Sequence, residues 1–241
     1  MQRTSISWTE KTWNPVTGCT PVSRGCMNCY AAAMANRFRG RQGKYKNGFK
    51  VTLHEDSLDE PLHELKSCRI FVCSMGDLFH EDVSFEFIDK IMETIDRTPW
   101  HKYLILTKRP ERMAEYFQTR EVHQNAWLGT TVEAAEYKYR VDILRSIKRS
   151  FKFLSCEPLV ENLGELDLTG IDWVIVGGES GSRARPMKQE WVMNIKDQAN
   201  AQGVAFFFKQ WGTWGRDGVK RSKEANGHLL NGKVYQKIPD K

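Results

Sequence analysis

YLILTKRPERMAEYFQTREVHQNAWLGTT, residues 103–131, is the stretch whose reading decides the fold. It opens on the apolar run Tyr103–Thr107 and closes on Ala126–Thr131, with a helical pattern over Pro110–Tyr116 between them. The proline sits near the helix start, where a missing N–H costs nothing. Short runs rich in β-branched and aromatic residues, flanking a helix, are what a buried parallel strand pair requires. The same alternation extends outward. Ile70–Ser74, Phe151–Cys156, Trp173–Val176 and Val204–Lys209 read as further strands, and Phe85–Arg97, Ala134–Ile147 and Gln189–Ala201 as helices. In the first of these helices Phe87, Ile88, Ile91, Met92 and Ile95 recur at helical spacing. Repeated strand–helix units imply a parallel sheet with right-handed crossovers. The expected class is α/β, a full or partial parallel (β/α) barrel, with a doubly wound open sheet as the alternative. The barrel domain is expected over residues 1–214. Residues 215–241, rich in Lys, Gly and Asn, read as a basic C-terminal appendage with a hairpin at Asn231–Gly232.

The chain has 241 residues, 40% hydrophobic and 27% charged, enough for one sizeable core. It has no apolar run long enough to cross a bilayer, and the N-terminal MQRTSISWTEKTW lacks the apolar centre of a signal peptide. A cytoplasmic protein with no membrane partner is expected. The net charge of +6 is compatible with a polyanionic partner. Eight tryptophans could serve the core, line a pocket or stack on bases.

Polar or glycine clusters stand where several strands end: Cys73–Asp77, Thr107–Arg109, Gly129–Glu133, Ser155–Pro158 and Gly177–Gly181. In parallel α/β folds the site lies at the C-terminal strand ends, so these clusters are expected to converge. The alternative for each is a loop start with capping residues.

Of six cysteines, Cys19, Cys26 and Cys29 are clustered as C-x6-C-x2-C, whereas Cys68, Cys73 and Cys156 are scattered. In a chain this long with no export signal, reduced thiols or metal ligands are favoured over disulfides, and that asymmetry argues for one site rather than a disulfide framework. Thiolates suit zinc and iron–sulfur clusters alike. Structural zinc needs a fourth ligand, which His54, Cys68 or Cys73 would have to supply. A 4Fe–4S cluster on three cysteines leaves one iron open, the arrangement chemistry needs.

The terminal C-x2-C, followed by the helix-forming Tyr30-Ala31-Ala32-Ala33-Met34-Ala35, resembles the radical S-adenosylmethionine (radical SAM) superfamily, although the first gap here is six residues rather than three. Trp13-Asn14-Pro15-Val16-Thr17-Gly18-Cys19 and Gly25-Cys26-Met27-Asn28-Cys29-Tyr30-Ala31 resemble a bacteriophage-associated three-cysteine-motif family, radical SAM-like and distantly similar to spore photoproduct lyase. Ser74–His80, Leu106–Pro110, Leu128–Glu133, Glu157-Pro158-Leu159 and Gly177–Gly181 extend the resemblance from Trp8 to about Trp214.

The resemblance implies a radical SAM-type barrel in which Cys19, Cys26 and Cys29 ligate a 4Fe–4S cluster. S-adenosylmethionine would bind the open iron and be cleaved to a 5′-deoxyadenosyl radical, with an external electron donor of flavodoxin or ferredoxin type. By position, Asp77 would meet the methionine ammonium, with the backbone of Ser74 and Gly76 close by. Thr131 and Glu133 would contact the ribose or sulfonium. Gly177 and Gly178 would lie beside the adenine, with Glu179 pointing into the site. Lys108, Arg109, Glu157 and Lys209 are candidates for substrate or for the cofactor carboxylate. The alternatives are a capping Asp77, a plain glycine turn and an exposed loop Glu157.

Residues 37–50 interleave cations and aromatics without an acid, which suits phosphates and bases. Arg39, Arg41 and Lys44 are its candidate substrate contacts, with Phe38, Tyr45 or Phe49 available to stack. A solvated surface loop is the alternative. The histidines form no metal-ligand pattern, and only His80, after the Asp77 turn, stands near a site. The function expected is radical SAM chemistry on a nucleic acid base or nucleotide, in modification or repair. The alternatives are a zinc-stapled nucleic-acid-binding protein without catalysis, and a radical SAM enzyme with a small-molecule or peptide substrate.

Overall fold

A computed structural model describes residues 1–239, so the last two residues of the expected 215–241 appendage lie outside the described part. The chain is α/β, as expected, with an eight-stranded, mostly parallel sheet consistent with a partial parallel barrel. Two compact units are described in turn: Met1–Val22, Cys29–Gly129 and Ser146–Phe151 form the first, and Ser23–Asn28, Thr130–Arg145 and the described residues from Lys152 onward, 152–239, the second.

The first unit contains β1 (Gln2–Arg3), β2 (Lys11–Trp13), β3 (Val16–Thr17), α1 (Tyr30–Arg37), β4 (Thr52–Leu53), β5 (Arg69–Val72), α2 (Phe85–Asp96), β6 (Lys102–Thr107), α3 (Pro110–Tyr116) and most of β7 (Ala126–Thr131). β2, β5 and β6 pair in parallel, and β1 adds an antiparallel edge. β2 is too short to show a period in the sequence. β5 stops at Val72, earlier than its apolar run suggests, because Cys73 turns into a left-handed conformation with φ 57°. α2 begins where the Ser84 side chain accepts from the Phe87 N–H, and it buries Phe87, Ile88, Ile91, Met92 and Ile95.

The second unit contains α4 (Tyr139–Ser146, whose last residue belongs to the first), β8 (Phe151–Cys156, whose first residue belongs to the first), β9 (Trp173–Gly177), α5 (Gln189–Ala201), β10 (Ala205–Gln210), α6 (Lys223–Asn226), β11 (Leu229–Leu230) and β12 (Lys233–Val234). β8, β9 and β10 are parallel neighbours. The helix expected over Ala134–Ile147 splits into a 3₁₀ turn at Ala135–Tyr137 and then α4. The Ala135 N–H is taken by Glu161 at 2.8 Å, and Arg140 turns inward rather than to solvent. The hairpin expected at Asn231–Gly232 joins β11 to β12, and both turn residues have positive φ. The tail beyond Trp214 bonds onto its unit: Phe208 donates to the Tyr235 carbonyl at 2.6 Å and the Trp173 indole to that of Lys237 at 3.0 Å. Trp8, Trp13, Trp127, Trp173 and Trp211 are core residues. No helix among the described residues is long and apolar enough to cross a membrane.

Candidate functional site

In the first unit the Cys19 loop is fixed by backbone. Gly18 donates to the Met75 carbonyl at 2.8 Å, and Cys19 to that of Phe49 at 3.2 Å. A Cβ on Gly76 would meet the carbonyls of Gly18 and Val16 at 3.0 Å each, so the glycine permits this approach. Asn14 Oδ1 accepts from the Met75 N–H at 3.0 Å and from Ser74 Oγ at 3.2 Å, and Tyr30 donates to the Ser74 carbonyl at 2.8 Å. The Ser74–Gly76 turn and the cysteine loop are therefore one construction.

Asp77 and Arg109 sit at its centre, both buried. Asp77 Oδ1 accepts from Thr107 Oγ1 at 2.7 Å and the Phe79 N–H at 3.0 Å. Its Oδ2 accepts from the Lys108 N–H at 3.2 Å and Arg109 Nη1 at 3.3 Å. The carboxylate expected to meet an ammonium thus already has four protein donors. Arg109 Nη1 also reaches Cys19 Sγ at 3.3 Å, Nη2 reaches Thr20 Oγ1 at 2.9 Å, and Nε reaches Glu81 at 3.0 Å. Burial works against the Arg109 charge, but Asp77, Cys19 and Glu81 outweigh it and push its pKa up. His80 Nδ1 accepts from the Asp82 N–H at 3.1 Å, so its proton sits on Nε2, facing Thr20 Oγ1 at 2.8 Å. Burial, then Arg109, hold its pKa below the usual histidine value.

In the second unit two buried carboxylates carry the short turn around Cys26. Glu133 Oε1 accepts from the Gly25 N–H at 3.3 Å, and Oε2 from Arg140 Nη1 at 3.2 Å, which also reaches the Thr131 carbonyl at 3.0 Å. Glu179 Oε2 accepts from Asn28 Nδ2 at 3.0 Å and from the Arg185 N–H at 2.8 Å. Its Oε1 accepts from Arg185 Nη2 at 2.7 Å. Arg185 Nη2 also donates to the Arg24 carbonyl at 3.0 Å. Burial would raise the Glu179 pKa, but the bonds from Arg185 and Asn28 hold it below the usual range. Glu133 and Glu179, expected beside a cofactor, each hold the Ser23–Asn28 segment that bears Cys26.

A second polar group lies at the ends of β8 to β10. Lys209 Nζ bridges both Glu157 oxygens, at 2.7 and 2.9 Å, and Gln210 Nε2 bonds the Gly178 carbonyl at 3.0 Å. Gly177 packs on the Glu157 side chain, and a Cβ on Gly178 would overlap the Trp211 carbonyl. Glu157 and Lys209 remain partly exposed. In the basic segment Arg39 and Arg41 are exposed, whereas Lys44 is paired with Glu60 at 2.9 Å.

Asn14, Asn28, Arg140 and Arg185 were not singled out as site residues in the sequence, although Asn14 and Asn28 lie within the strings that carry the resemblance; their partners lie up to 161 residues away. Cys19, Cys26 and Cys29 form no disulfide and are partly exposed, while Cys68, Cys73 and Cys156 are buried. Burial pushes the Cys73 and Cys156 thiols up to about 12, which leaves them poor ligands. Three accessible soft thiols fit an iron–sulfur cluster in donor chemistry. Among the described residues no group of three or more His, Cys, Asp or Glu side chains stands assembled as a metal site.

A family model described as "Protein of unknown function (DUF5131)" matches residues 3–239. No curated protein matches the sequence. Among solved structures, the fold is similar to a cysteine-to-serine mutant of spore photoproduct lyase, with a TM-score of 0.52 and 14% identity over 93% of this chain and 72% of that one. Spore photoproduct lyase complexed with dinucleoside spore photoproduct gives a TM-score of 0.47 and 10% identity, covering 77% of this chain. The match spans 59% of that chain's length. At these identities the likeness is one of fold.

Proposed function

We propose that this chain, which belongs to the DUF5131 family, is a radical SAM enzyme acting on a nucleic acid base or nucleotide. The observation that carries the reading is the cysteine segment: three accessible thiols in C-x6-C-x2-C, on turns held by buried ionic groups rather than left loose. A bound 4Fe–4S cluster with S-adenosylmethionine would supply a one-electron reductant and a hydrogen-abstracting radical. Cys19, Cys26 and Cys29 would hold it.

The chain's own residues set the ligands in place. Arg109 presents a fixed cation to Cys19 Sγ and is itself anchored by Asp77. Glu133 and Glu179 fix the turn that bears Cys26, a positioning role. Glu157 and Lys209, paired but accessible, are the polar groups best suited to meet substrate. The acid-free basic segment supports a nucleic acid substrate.

Anaerobic reconstitution tests the reading. The expected result is one 4Fe–4S cluster per chain, a reduced-cluster EPR signal and release of 5′-deoxyadenosine, with Cys19→Ala, Cys26→Ala and Cys29→Ala each losing all three. Tightly bound zinc without S-adenosylmethionine cleavage would overturn it.

A further inference from the structure

From Lys11 to His54 the chain contains no Asp or Glu, yet it carries Lys11, Arg24, Arg37, Arg39, Arg41, Lys44, Lys46 and Lys50. The structure sorts these cations. Lys11 is paired with Glu64, Arg24 with Glu161 and Lys44 with Glu60. Arg37, Arg39, Arg41, Lys46 and Lys50 are exposed and make no ion pair among the described residues. All five lie on the last turn of α1 or the loop that follows it.

The aromatics are sorted as well. Tyr45 and Phe49 pack with Cys29 against Ala31, Ala35 and Met75, so they brace the loop on the helix. Tyr30, Met34 and Phe38 follow at four-residue spacing and stay 52%, 44% and 41% exposed. That spacing places them along one face, spanning about 12 Å. Arg41 lies over the Phe38 ring at 5.6 Å, and Tyr45 sits beside it at 6.3 Å between centroids. An exposed apolar stripe rimmed by unpaired cations needs an anionic partner that also has flat apolar faces.

We infer that this face of α1 and the loop to Lys50 bind single-stranded nucleic acid. The five cations track phosphates, and Phe38, backed by Tyr45 and Arg41, is a platform for a base. Single strands fit better than duplex because stacking needs exposed base faces. The inference deepens the nucleic acid reading above, but binding itself requires no cluster.

Fluorescence anisotropy of a fluorescein-labelled oligothymidylate with the full-length protein tests it. Engagement of five cations predicts that affinity falls roughly 100-fold between about 50 and 200 mM salt, a logarithmic slope near −3.5. Arg37→Gln/Arg39→Gln/Arg41→Gln should reduce that slope by about 2. Phe38→Ala should weaken binding by about tenfold with the slope unchanged. Each variant is first checked for wild-type circular dichroism and thermal midpoint; all four side chains are exposed, so the fold should persist. Equal affinity for duplex, full competition by polyglutamate, or an unaffected Phe38→Ala would each overturn the assignment, the second pointing to an acidic protein instead. S-adenosylmethionine cleavage is assayed separately without nucleic acid. Binding without cleavage defeats the enzyme reading and leaves this inference standing; cleavage without binding does the reverse.

Discussion

Glu133 has no exposed surface, and its two oxygens divide between the Gly25 backbone and the Arg140 guanidinium. Arg140 Nε has no hydrogen-bond partner among the described residues, so Glu133 carries most of the burden of keeping that cation buried. Removing one member of a buried pair costs about 3–5 kcal/mol, because the other charge is left uncompensated. Glu133→Ala should lose about that much in urea unfolding, and Glu133→Gln less, since an amide oxygen can still accept from Gly25. A wild-type unfolding midpoint for Glu133→Ala would show that the pair does not hold the fold. Gly25→Ala is the complementary change: its Cβ would stand 2.9 Å from the Glu133 carboxylate arm. The Cys26 turn must then shift, and reconstituted iron content should fall more than stability does. Glu133 and Glu179 were legible in the sequence as unusual carboxylates at strand ends. Their task was not, because a carboxylate's partner depends on what the fold brings to it, and nothing in the sequence marks Arg140 as that partner.

At the scale of elements, the sequence reading worked where burial alone sets the limits. β7, β8, α3 and α5 have the bounds that their apolar patterns and flanking residues indicate. It was weaker where local backbone geometry decides. Cys73 ends β5 by turning left-handed, and the helix expected over Ala134–Ile147 divides into a 3₁₀ turn at Ala135–Tyr137 and α4. β2 and β3 were missed because strands of two or three residues carry no period. The end of β9 shows how tightly such junctions are drawn. Gly178 donates to the Gln210 carbonyl at 3.0 Å, and its Cα faces the Trp211 carbonyl with no room for a methyl group. Backbone cannot rotate aside as a side chain does, so Gly178→Ala should cost at least the 1–3 kcal/mol typical of overpacking. A lowered thermal midpoint is the expected readout. An unchanged one would contradict this close approach of the β9 and β10 ends.

At the scale of the whole molecule, the titrating groups predict how stability responds to acid. His54, His80 and His101 all belong to the first unit, and burial lowers the pKa of each. A lowered histidine pKa means that the unfolded chain binds the proton first. Stability is therefore complete above the unfolded value of about 6.5 and declines as pH falls below it. The depressed carboxylates act in a lower window. Glu161 is held down by the Ala135 N–H and Arg24, and Glu179 by Arg185 against its burial. Their stabilisation persists until pH falls through values below the ordinary carboxylate range. Between about pH 7 and 5 the histidines should thus dominate, and the thermal midpoint should drop over that interval. His80→Asn/His101→Asn should flatten the drop, because an asparagine stays neutral while its oxygen can still accept from the Asp82 or Cys68 N–H, as each imidazole Nδ1 does at 3.1 and 3.3 Å. A wild-type midpoint constant from pH 7 to 5, or a double variant just as acid-sensitive, would contradict the neutral histidine pair. Because His80 shares Thr20 with Arg109, its protonation places two cations on one hydroxyl beside Cys19. On the iron–sulfur reading proposed above, retention of a reconstituted cluster should decline over the same interval, ahead of global unfolding.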